Sequence, residues 1–335
     1  MPEPSRPTPP APVDHVGVER EEAGPGDLDR DDWKQVAKRV VPRIKGDQVV
    51  LLGAGVAFFG LLALIPGLIA AVSIYGLVSD PSDVQRQVEN LTDALPAAAR
   101  EIIEEQLQSI VDSSAANLSL GALFGLLAAL WSASSGVSHL IGALNVAYRE
   151  DEDRGFVKLR GVSLLLTLGG IVFAVFAVGA IAVIPVIVNG TVVDGAVATA
   201  LQWLRWPLLL LAFMAALALL YKVGPDRENP RVAWASWGAG IATVVWVVGS
   251  AGFSFYVSQF GNFNETYGSL AGVIVLMLWL VLTATVVIIG ALINAELEHQ
   301  TAVDTTTGEP RPIGQRDAQV ADTVAERVRA TPVPD

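Results

Sequence analysis

Six long apolar segments alternate with polar segments along the chain. Each is long enough for an α-helix to cross the hydrocarbon core of a bilayer, which takes about 20 apolar residues. Backbone groups in lipid must find hydrogen-bond partners within the protein, so the pattern predicts an all-α, polytopic bundle of six transmembrane helices. The predicted spans cover residues 49–78, 119–147, 161–188, 203–222, 235–258 and 268–294.

The polar segments divide the chain into a membrane domain, residues 33–298, and two tails. Residues 1–32 and 299–335 are polar, acidic and poor in large apolar residues. We expect both tails to be disordered, because they cannot bury enough apolar area to offset the entropy of ordering. Within the long loop after the first span, apolar residues at helical spacing predict an extracytoplasmic helical hairpin over 82–112. An acidic outer cap and a solvated connector are its two interpretations.

A basic amphipathic segment, DDWKQVAKRVVPRIKGD, precedes the first span. Its apolar residues recur near helical spacing and are surrounded by Lys and Arg, which is typical of a helix lying on an anionic leaflet. A short solvated helix is the alternative interpretation.

Lys and Arg are concentrated before the first span and in the loops 149–160 and 222–231. Positive residues in short loops mark the cytoplasmic side of a membrane protein, so we expect both termini in the cytoplasm. The net charge of −12 resides mainly in the two tails and the loop 79–118. No concentrated basic face remains, and we therefore expect no binding to nucleic acid.

The second span is unusually polar for a membrane helix. Polar side chains within a span need a protein partner or a water-filled cavity, so they are the first candidates for a functional surface. One interpretation is interhelical hydrogen bonding, with the histidine neutral, and the other is a polar translocation surface. The residues of this polar stripe are Ser132, Ser135, Ser138, His139 and Asn145.

Two further features bear on transport. Pro66 has no backbone N–H and predicts a helix break or a packing kink near the middle of the first span. Asn264, Glu265 and Tyr267 precede the sixth span and form a candidate outer rim. Capping of the helix start explains much of their polarity, because oxygen acceptors and an acidic side chain favour a helix N-terminus.

A candidate inner rim closes the sixth span, with Asn294, Glu296 and Glu298 in its last turns. Carboxylates are disfavoured at a helix C-terminus, so they are expected to have cationic partners. An ion-pair gate and a structural lock fit this pattern equally well. The candidate partners are Arg149, Arg154 and Arg160.

Glycines one turn apart predict places where helices approach each other closely. The pairs are Gly121 with Gly125 and Gly268 with Gly272. Any larger side chain there would hold the neighbouring helix away.

Several sequence elements, taken in order, resemble the YihY/BrkB family of bacterial inner-membrane proteins. They are GVAFFGLLALIPGL, LWSASSGVSHLIGALNVAY, LYKVGPDR, YVSQFGNFNETYGSLAGVIVLMLWL and GALINAELE, and the resemblance covers about residues 35–298. It implies a six-helix protein of the bacterial inner membrane. The family has no agreed biochemical activity. Some members carry the label ribonuclease BN-like, and others a virulence or serum-resistance label.

The residues do not support ribonuclease chemistry. Metal-dependent RNA cleavage needs clustered His and carboxylate ligands. The three histidines, His15, His139 and His299, are far apart in the chain and have no partner at ligand spacing. No phosphate-cradling loop or nucleophile elbow is present either. We therefore expect a non-enzymatic protein without a metal or cofactor.

Three hypotheses follow from the pattern. The leading one is a transporter-like protein in the bilayer, whose substrate is a lipid or a lipid-linked envelope precursor. The second is a non-transporting envelope scaffold. The third is an intramembrane enzyme, which would need a carboxylate beside His139.

Overall fold

The computed structural model describes residues 25–78, 120–190, 195–228, 230–260, 270–301 and 303–325. Within them the chain is helical, apart from turns and an isolated β-bridge between Pro230 and Thr306. A 3-10 turn at Pro25–Asp27 precedes seven α-helices. These are α1 (Arg30–Gly46), α2 (Val49–Val78), α3 (Leu120–Tyr148), α4 (Phe156–Gly190), α5 (Gly195–Val223), α6 (Val232–Phe260) and α7 (Ala271–Glu298).

The prediction of an all-α bundle with six transmembrane helices is confirmed. Helices α2 to α7 are each long and apolar enough to cross a membrane. Their bounds agree with the predicted spans to within a few residues at most ends. The largest differences are at the starts of two helices, because α4 begins at Phe156 instead of residue 161 and α5 begins at Gly195 instead of residue 203. The predicted hairpin 82–112 lies outside the described residues.

The six spans form a closed ring. Helix α2 packs against α3 and α7, and the contacts continue from α3 to α4, α5, α6 and back to α7. Helix α7 also contacts α3 and α1, and α2 also contacts α1 and α4. We call the end of the bundle where α1, the loops 149–155 and 224–231 and the segment 303–325 meet the charged end.

Helix α1 is docked on the charged end. The Asp29 side chain caps its start by accepting hydrogen bonds from the backbone N–H groups of Asp31 and Asp32. The Asp32 carboxylate in turn accepts a hydrogen bond from the Asp29 N–H. Val36 and Val40 are buried in the same core cluster as the last turns of α7. The apolar side of α1 therefore faces the bundle. This differs from both interpretations of the segment, a helix on a leaflet and a solvated helix.

The packed core lies close to the charged end. Of the buried residues of α7, all except Ala271 lie at or beyond Ala284. In α6 the described residues are no longer buried after Thr243, and in α5 burial begins only at Leu217. A smaller cluster centres on Ala70, Ala129 and Ile171. The described bundle is thus tightly packed at one end and loosely packed over the rest of its length.

Close helix contacts occur at other glycines than the sequence pattern predicts. Gly238 of α6 and Gly290 of α7 face each other, and a Cβ on either would collide with the partner's backbone carbonyl. Gly125 and Gly272, in contrast, have open space where a Cβ would stand. Spacing of small residues identifies a surface that permits close approach, but the direction that this surface faces is decided by the whole bundle.

The segment after α7 differs from the expected disordered tail over its described part, 299–301 and 303–325. The Arg231 N–H donates to the Thr305 carbonyl (2.8 Å), and buried Arg316 donates through Nη1 to the Ala321 carbonyl (2.7 Å). Val320 is buried in the core cluster of the charged end. The tail contains few apolar residues, and buried polar hydrogen bonds account for much of its order, which composition alone does not reveal.

We expect Gly290→Ala to lower the unfolding free energy by about 1–3 kcal/mol, the usual result of overpacking a core. The added Cβ would collide with the Tyr221 hydroxyl, Ala242 and the Gly238 carbonyl. Chemical unfolding of the purified protein in detergent measures the change. The control is Gly125→Ala, whose Cβ meets nothing within 4 Å. Equal stability of the two variants would contradict the close α6–α7 contact.

Candidate functional site

Glu296, in the last turn of α7, is surrounded by arginines at the charged end. Its side chain is 1 % exposed. Arg39 Nε donates to Oε2 at 2.6 Å, while Arg43 Nη1 and Arg149 Nη2 donate to Oε1 at 2.9 and 3.1 Å. These arginines come from α1 and from the end of α3. One carboxylate therefore connects three parts of the chain that are distant in sequence.

Glu298 has a separate, more deeply buried partner. Arg227 Nη2 and Nη1 donate to its two carboxylate oxygens at 2.7 and 3.2 Å, and both side chains are 0 % exposed. Thr305 Oγ1 donates to Oε2 at 2.8 Å. The Arg227 guanidinium also lies 5.0 Å from the ring centroid of Tyr148. This bidentate pair joins α7, the loop 224–231 and the segment 303–325.

Asn294 acts one turn earlier as a clamp between α6 and α7. Its Oδ1 accepts from the Gly238 N–H at 2.7 Å, and its Nδ2 donates to the Ala235 carbonyl at 3.0 Å. Its side chain thus satisfies two backbone groups in the first turns of α6. The three inner-rim residues lie close together, but Asn294 contacts a helix whereas the glutamates contact arginines.

Of the three arginines predicted to pair with the inner rim, the structure places Arg149 there and the other two elsewhere. Arg154 pairs with Glu152 (2.6 Å) and lies 3.5 Å from Asp226. Arg160 reaches α3 instead. The main partners are Arg39, Arg43 and Arg227, which the sequence identifies only as members of basic segments. Their pairing depends on tertiary contacts that the one-dimensional charge pattern does not contain.

The polar stripe of α3 does not form one surface. Ser132 and His139 are exposed, Ser135 is half-buried, and the His139 ring stacks on Phe59 of α2 with 3.5 Å between ring centroids. Asn145 is buried near the charged end, where it donates to Glu152 and accepts from the Asp226 N–H, each at 2.8 Å.

Ser138, on another side of α3, belongs to a polar seam with α4. Its single hydroxyl hydrogen has two acceptors within reach, the Ser134 carbonyl at 3.1 Å and Ser163 Oγ at 2.8 Å. Arg160 Nη1 lies 3.4 Å from Ser138 Oγ, and its Nη2 donates to the Trp131 carbonyl at 3.0 Å. The stripe therefore separates into a face toward α2, a seam with α4 and a loop anchor.

The other predicted features have simpler outcomes. Helix α2 continues through Pro66 from Val49 to Val78, so the structure shows no break at this residue. Neighbouring turns and helices can accommodate the freed carbonyl of a membrane proline, which is why such helices often continue. The outer-rim residues Asn264, Glu265 and Tyr267 lie outside the described residues.

Two apolar clefts lie between neighbouring spans. The first, about 590 Å³, separates α3 from α4 and is lined by Leu127, Leu130, Trp131, Leu164, Leu165 and Leu168. The second, about 740 Å³, separates α5 from α6. In the part of the chain that the structure describes, no three His, Asp or Glu side chains are grouped as metal ligands.

Six helices that are long and apolar enough to cross a membrane define an integral membrane protein. The chain belongs to the family described as Virulence factor BrkB, which matches residues 40–313. The family predicted from the ordered sequence elements is thereby confirmed. The match also extends beyond α7 into the segment that packs on the charged end.

Two relatives illustrate the range of names in this family. The chain is 35 % identical over 260 residues to the Putative ribonuclease-like protein YfkH of Bacillus subtilis (strain 168), which is 74 % of this chain and 89 % of the relative. It is 28 % identical over 263 residues to a UPF0761 membrane protein of Vibrio campbellii (strain ATCC BAA-1116), or 77 % and 80 % of the two chains. No solved structure matches the chain.

We expect Glu298→Ala to lower the unfolding free energy by about 3–5 kcal/mol, because removing one partner of a buried pair leaves an uncompensated charge. Here that charge would be Arg227, whose side chain is 0 % exposed. Chemical unfolding in detergent measures the loss, with exposed Glu309→Ala as the matched control. A parent-like unfolding curve for Glu298→Ala would contradict the described pair.

We also expect the segment 303–325 to bind less tightly as the pH rises. Burial raises the pKa of Glu150 from 4.5 to about 7, while its Oε1 accepts from the Gln319 N–H at 2.8 Å. Arg227 counteracts this rise, whereas Glu298 and Asp226 add to it. The docked state binds more protons than the released state between the two pKa values, so docking weakens as the pH rises through that range.

A cysteine introduced at Ala321, which is 1 % exposed, reports this release through its rate of thiol labelling. The rate is divided by that of the same cysteine in a Glu150→Gln background at each pH, which cancels the titration of the thiol itself. We expect the ratio to rise between roughly pH 5 and 8. A constant ratio would contradict the role of Glu150.

Proposed function

We propose that this protein is a transporter-like member of its family, which moves a lipid or a lipid-linked envelope precursor between the leaflets of the bacterial inner membrane. Both termini are then cytoplasmic, because the charged end carries the basic loops and the two terminal segments. In this proposal the charged end is a closed inner gate, and Ser132, Ser135 and His139 of α3 are part of the translocation surface.

The observation that carries the proposal is the unequal packing of the ring. Near the charged end α3, α5, α6 and α7 share one buried core. Farther away, α6 retains only half-buried residues on one side and is otherwise exposed from residue 244 onward. A bundle closed at one end and loosely packed at the other is what an alternating-access protein needs in one of its two states.

The buried ion pairs suit a gate for an energetic reason. Charges taken out of water stabilise a structure weakly or not at all compared with apolar packing, yet they require one particular arrangement. Glu296 and Glu298 contact groups from α1, both charged-end loops and the segment 303–325. Breaking them together would hydrate both carboxylates and release several elements at once, which is the behaviour of a two-state element.

The scaffold remains the alternative because both terminal segments are docked. Helix α1 and the segment 303–325 pack on the charged end, where the Arg39 guanidinium and the Thr305 hydroxyl contact α7. A rigid platform of this kind would present a fixed surface to a partner and would need no internal path. Accessibility of the interior distinguishes the two functions.

We propose no enzymatic role. The printed name of the Bacillus relative includes the word ribonuclease-like, but metal-dependent cleavage of RNA requires grouped ligands on a surface that nucleic acid can reach. His139 lies in α3 with its ring against Phe59. Among the described ion pairs, the histidine beside a carboxylate is His299, which lies 3.7 Å from Glu296 within the arginine cluster.

Single cysteines test the proposal directly, since the chain contains no native Cys. We would place one at Ser132, Ser135 or His139 and challenge membranes from each side with a membrane-impermeant thiol reagent. We expect labelling from the side opposite the charged end, because water has to fill a translocation surface in the described state. Val172, an exposed apolar position of α4, is the control and should stay unlabelled.

Silence at all three positions would contradict a water-filled path and favour the scaffold. Labelling of Val172 at the same rate would mean that the reagent reaches membrane-embedded thiols without a path, and would equally contradict the interpretation. Normal folding of each variant is verified by its elution as a single species in detergent.

A further inference from the structure

The cleft between α3 and α4 combines an apolar lining with a cation at one edge. Its lining is leucine apart from Trp131. The Arg160 guanidinium lies 4.1 Å from the Trp131 ring centroid, and its contacts to Ser138 and to the Trp131 carbonyl hold it beside that wall. An arginine inside a candidate span is a sign of function, because its burial in lipid is costly.

The charge of Arg160 is not compensated by the described protein. Its two hydrogen-bond acceptors, a hydroxyl and a backbone carbonyl, are both neutral. No carboxylate lies within 4.0 Å of it among the residues that the structure describes, whereas Arg39, Arg154 and Arg227 each have one. Its Nε is buried and has no acceptor. A guanidinium has five N–H donors, so unused donors remain on its two Nη atoms.

The order of charge and apolar surface along α4 matches that of a membrane lipid. Helix α4 begins at the charged end, and Arg160 lies in its first two turns. Leu164, Leu165 and Leu168 follow, deeper in the span. A lipid entering from the leaflet on that side would thus meet the cation with its headgroup and the leucines with its acyl chain.

We propose that this cleft binds an anionic phospholipid, with the phosphate on Arg160 and one acyl chain between α3 and α4. The volume of about 590 Å³ is within the range of small-molecule sites. The inference rests on the proposed function and deepens it, because it identifies the substrate class as a phosphate-bearing anionic amphiphile and its loading site as the α3–α4 seam.

The second cleft provides an internal comparison. It is larger, also apolar, and is formed by α5 and α6. Neither lining contains a Lys or Arg, and the first cleft differs in that the Arg160 guanidinium lies against its Trp131 wall. Leu211 lines this cleft and is 57 % exposed, close to the 63 % of Leu165 in the first cleft. The same substitution at these two leucines therefore fills one cleft or the other and changes no charge.

The test is retention of phosphatidylglycerol by the purified full chain, counted by native mass spectrometry, with phosphatidylcholine as the zwitterionic comparison. We expect Arg160→Gln to reduce phosphatidylglycerol retention roughly fivefold, the effect of one cation near a lipid headgroup, and to leave phosphatidylcholine unchanged. Arg160→Lys should retain part of the preference. Leu165→Trp should reduce retention with the arginine intact, whereas Leu211→Trp should not.

Arg205→Gln controls for the loss of any membrane arginine. Arg205 also contacts a backbone carbonyl of a neighbouring helix, that of Ile181, but its aromatic contact is Trp206, which lines neither cleft. Equal retention by Arg160→Gln, Arg205→Gln and the parent would overturn the site. So would a parent-like result for Leu165→Trp, which does not depend on how Arg160→Gln folds.

Movement of fluorescent phosphatidylglycerol across reconstituted vesicles separates the site from the proposed function. Retention that depends on Arg160, together with no movement above protein-free vesicles, would refute transport and leave the binding site standing. Movement that is unaffected by Arg160→Gln, Arg160→Lys and Leu165→Trp would refute the loading site and leave transport standing.

Discussion

The burial of two carboxylates at the end of α7 is the constraint on which the charged end depends. Glu296 and Glu298 can lie away from water only because arginines reach them from α1, from the end of α3 and from the loop 224–231. An arginine can hold this position only if its backbone is ordered. The loops and terminal segments therefore become ordered together with the ion pairs to which they contribute. The apolar core lies around the same turns, where polar order and close packing support each other.

Away from this constraint the spans interact differently. Some of the interhelical contacts there join an aromatic ring to a single hydroxyl, such as Trp246 Nε1 donating to Thr283 (3.1 Å) and Trp279 Nε1 donating to Ser250 (3.2 Å). Lipid tails are as apolar as the helix surfaces, so little drives these helices together beyond packing and such bonds. Clefts between neighbouring helices are the expected result.

Hydropathy predicted the spans well because the bilayer imposes a length and an apolar composition that are readable residue by residue. The sequence also predicted that the inner rim has cationic partners, because a carboxylate in the last turn of a helix is disfavoured by the helix dipole. It did not identify those partners, because Arg39 and Glu296 are 257 residues apart and several basic segments were equally qualified. Likewise the order of residues 303–325 depends on hydrogen bonds such as that of Arg316 to the Ala321 carbonyl. The polar residues of α3 contact different neighbouring segments, which a helical wheel does not identify.

The long separation between α1 and its partner also has a consequence for biosynthesis. Synthesis at about 5–20 residues per second places roughly 13–50 s between the appearance of Arg39 and that of Glu296. During this interval the basic face of α1 has no carboxylate from α7. The docked position of α1 can therefore be fixed only once the last span has been made, so completion of the bundle and fixation of its first helix are one event.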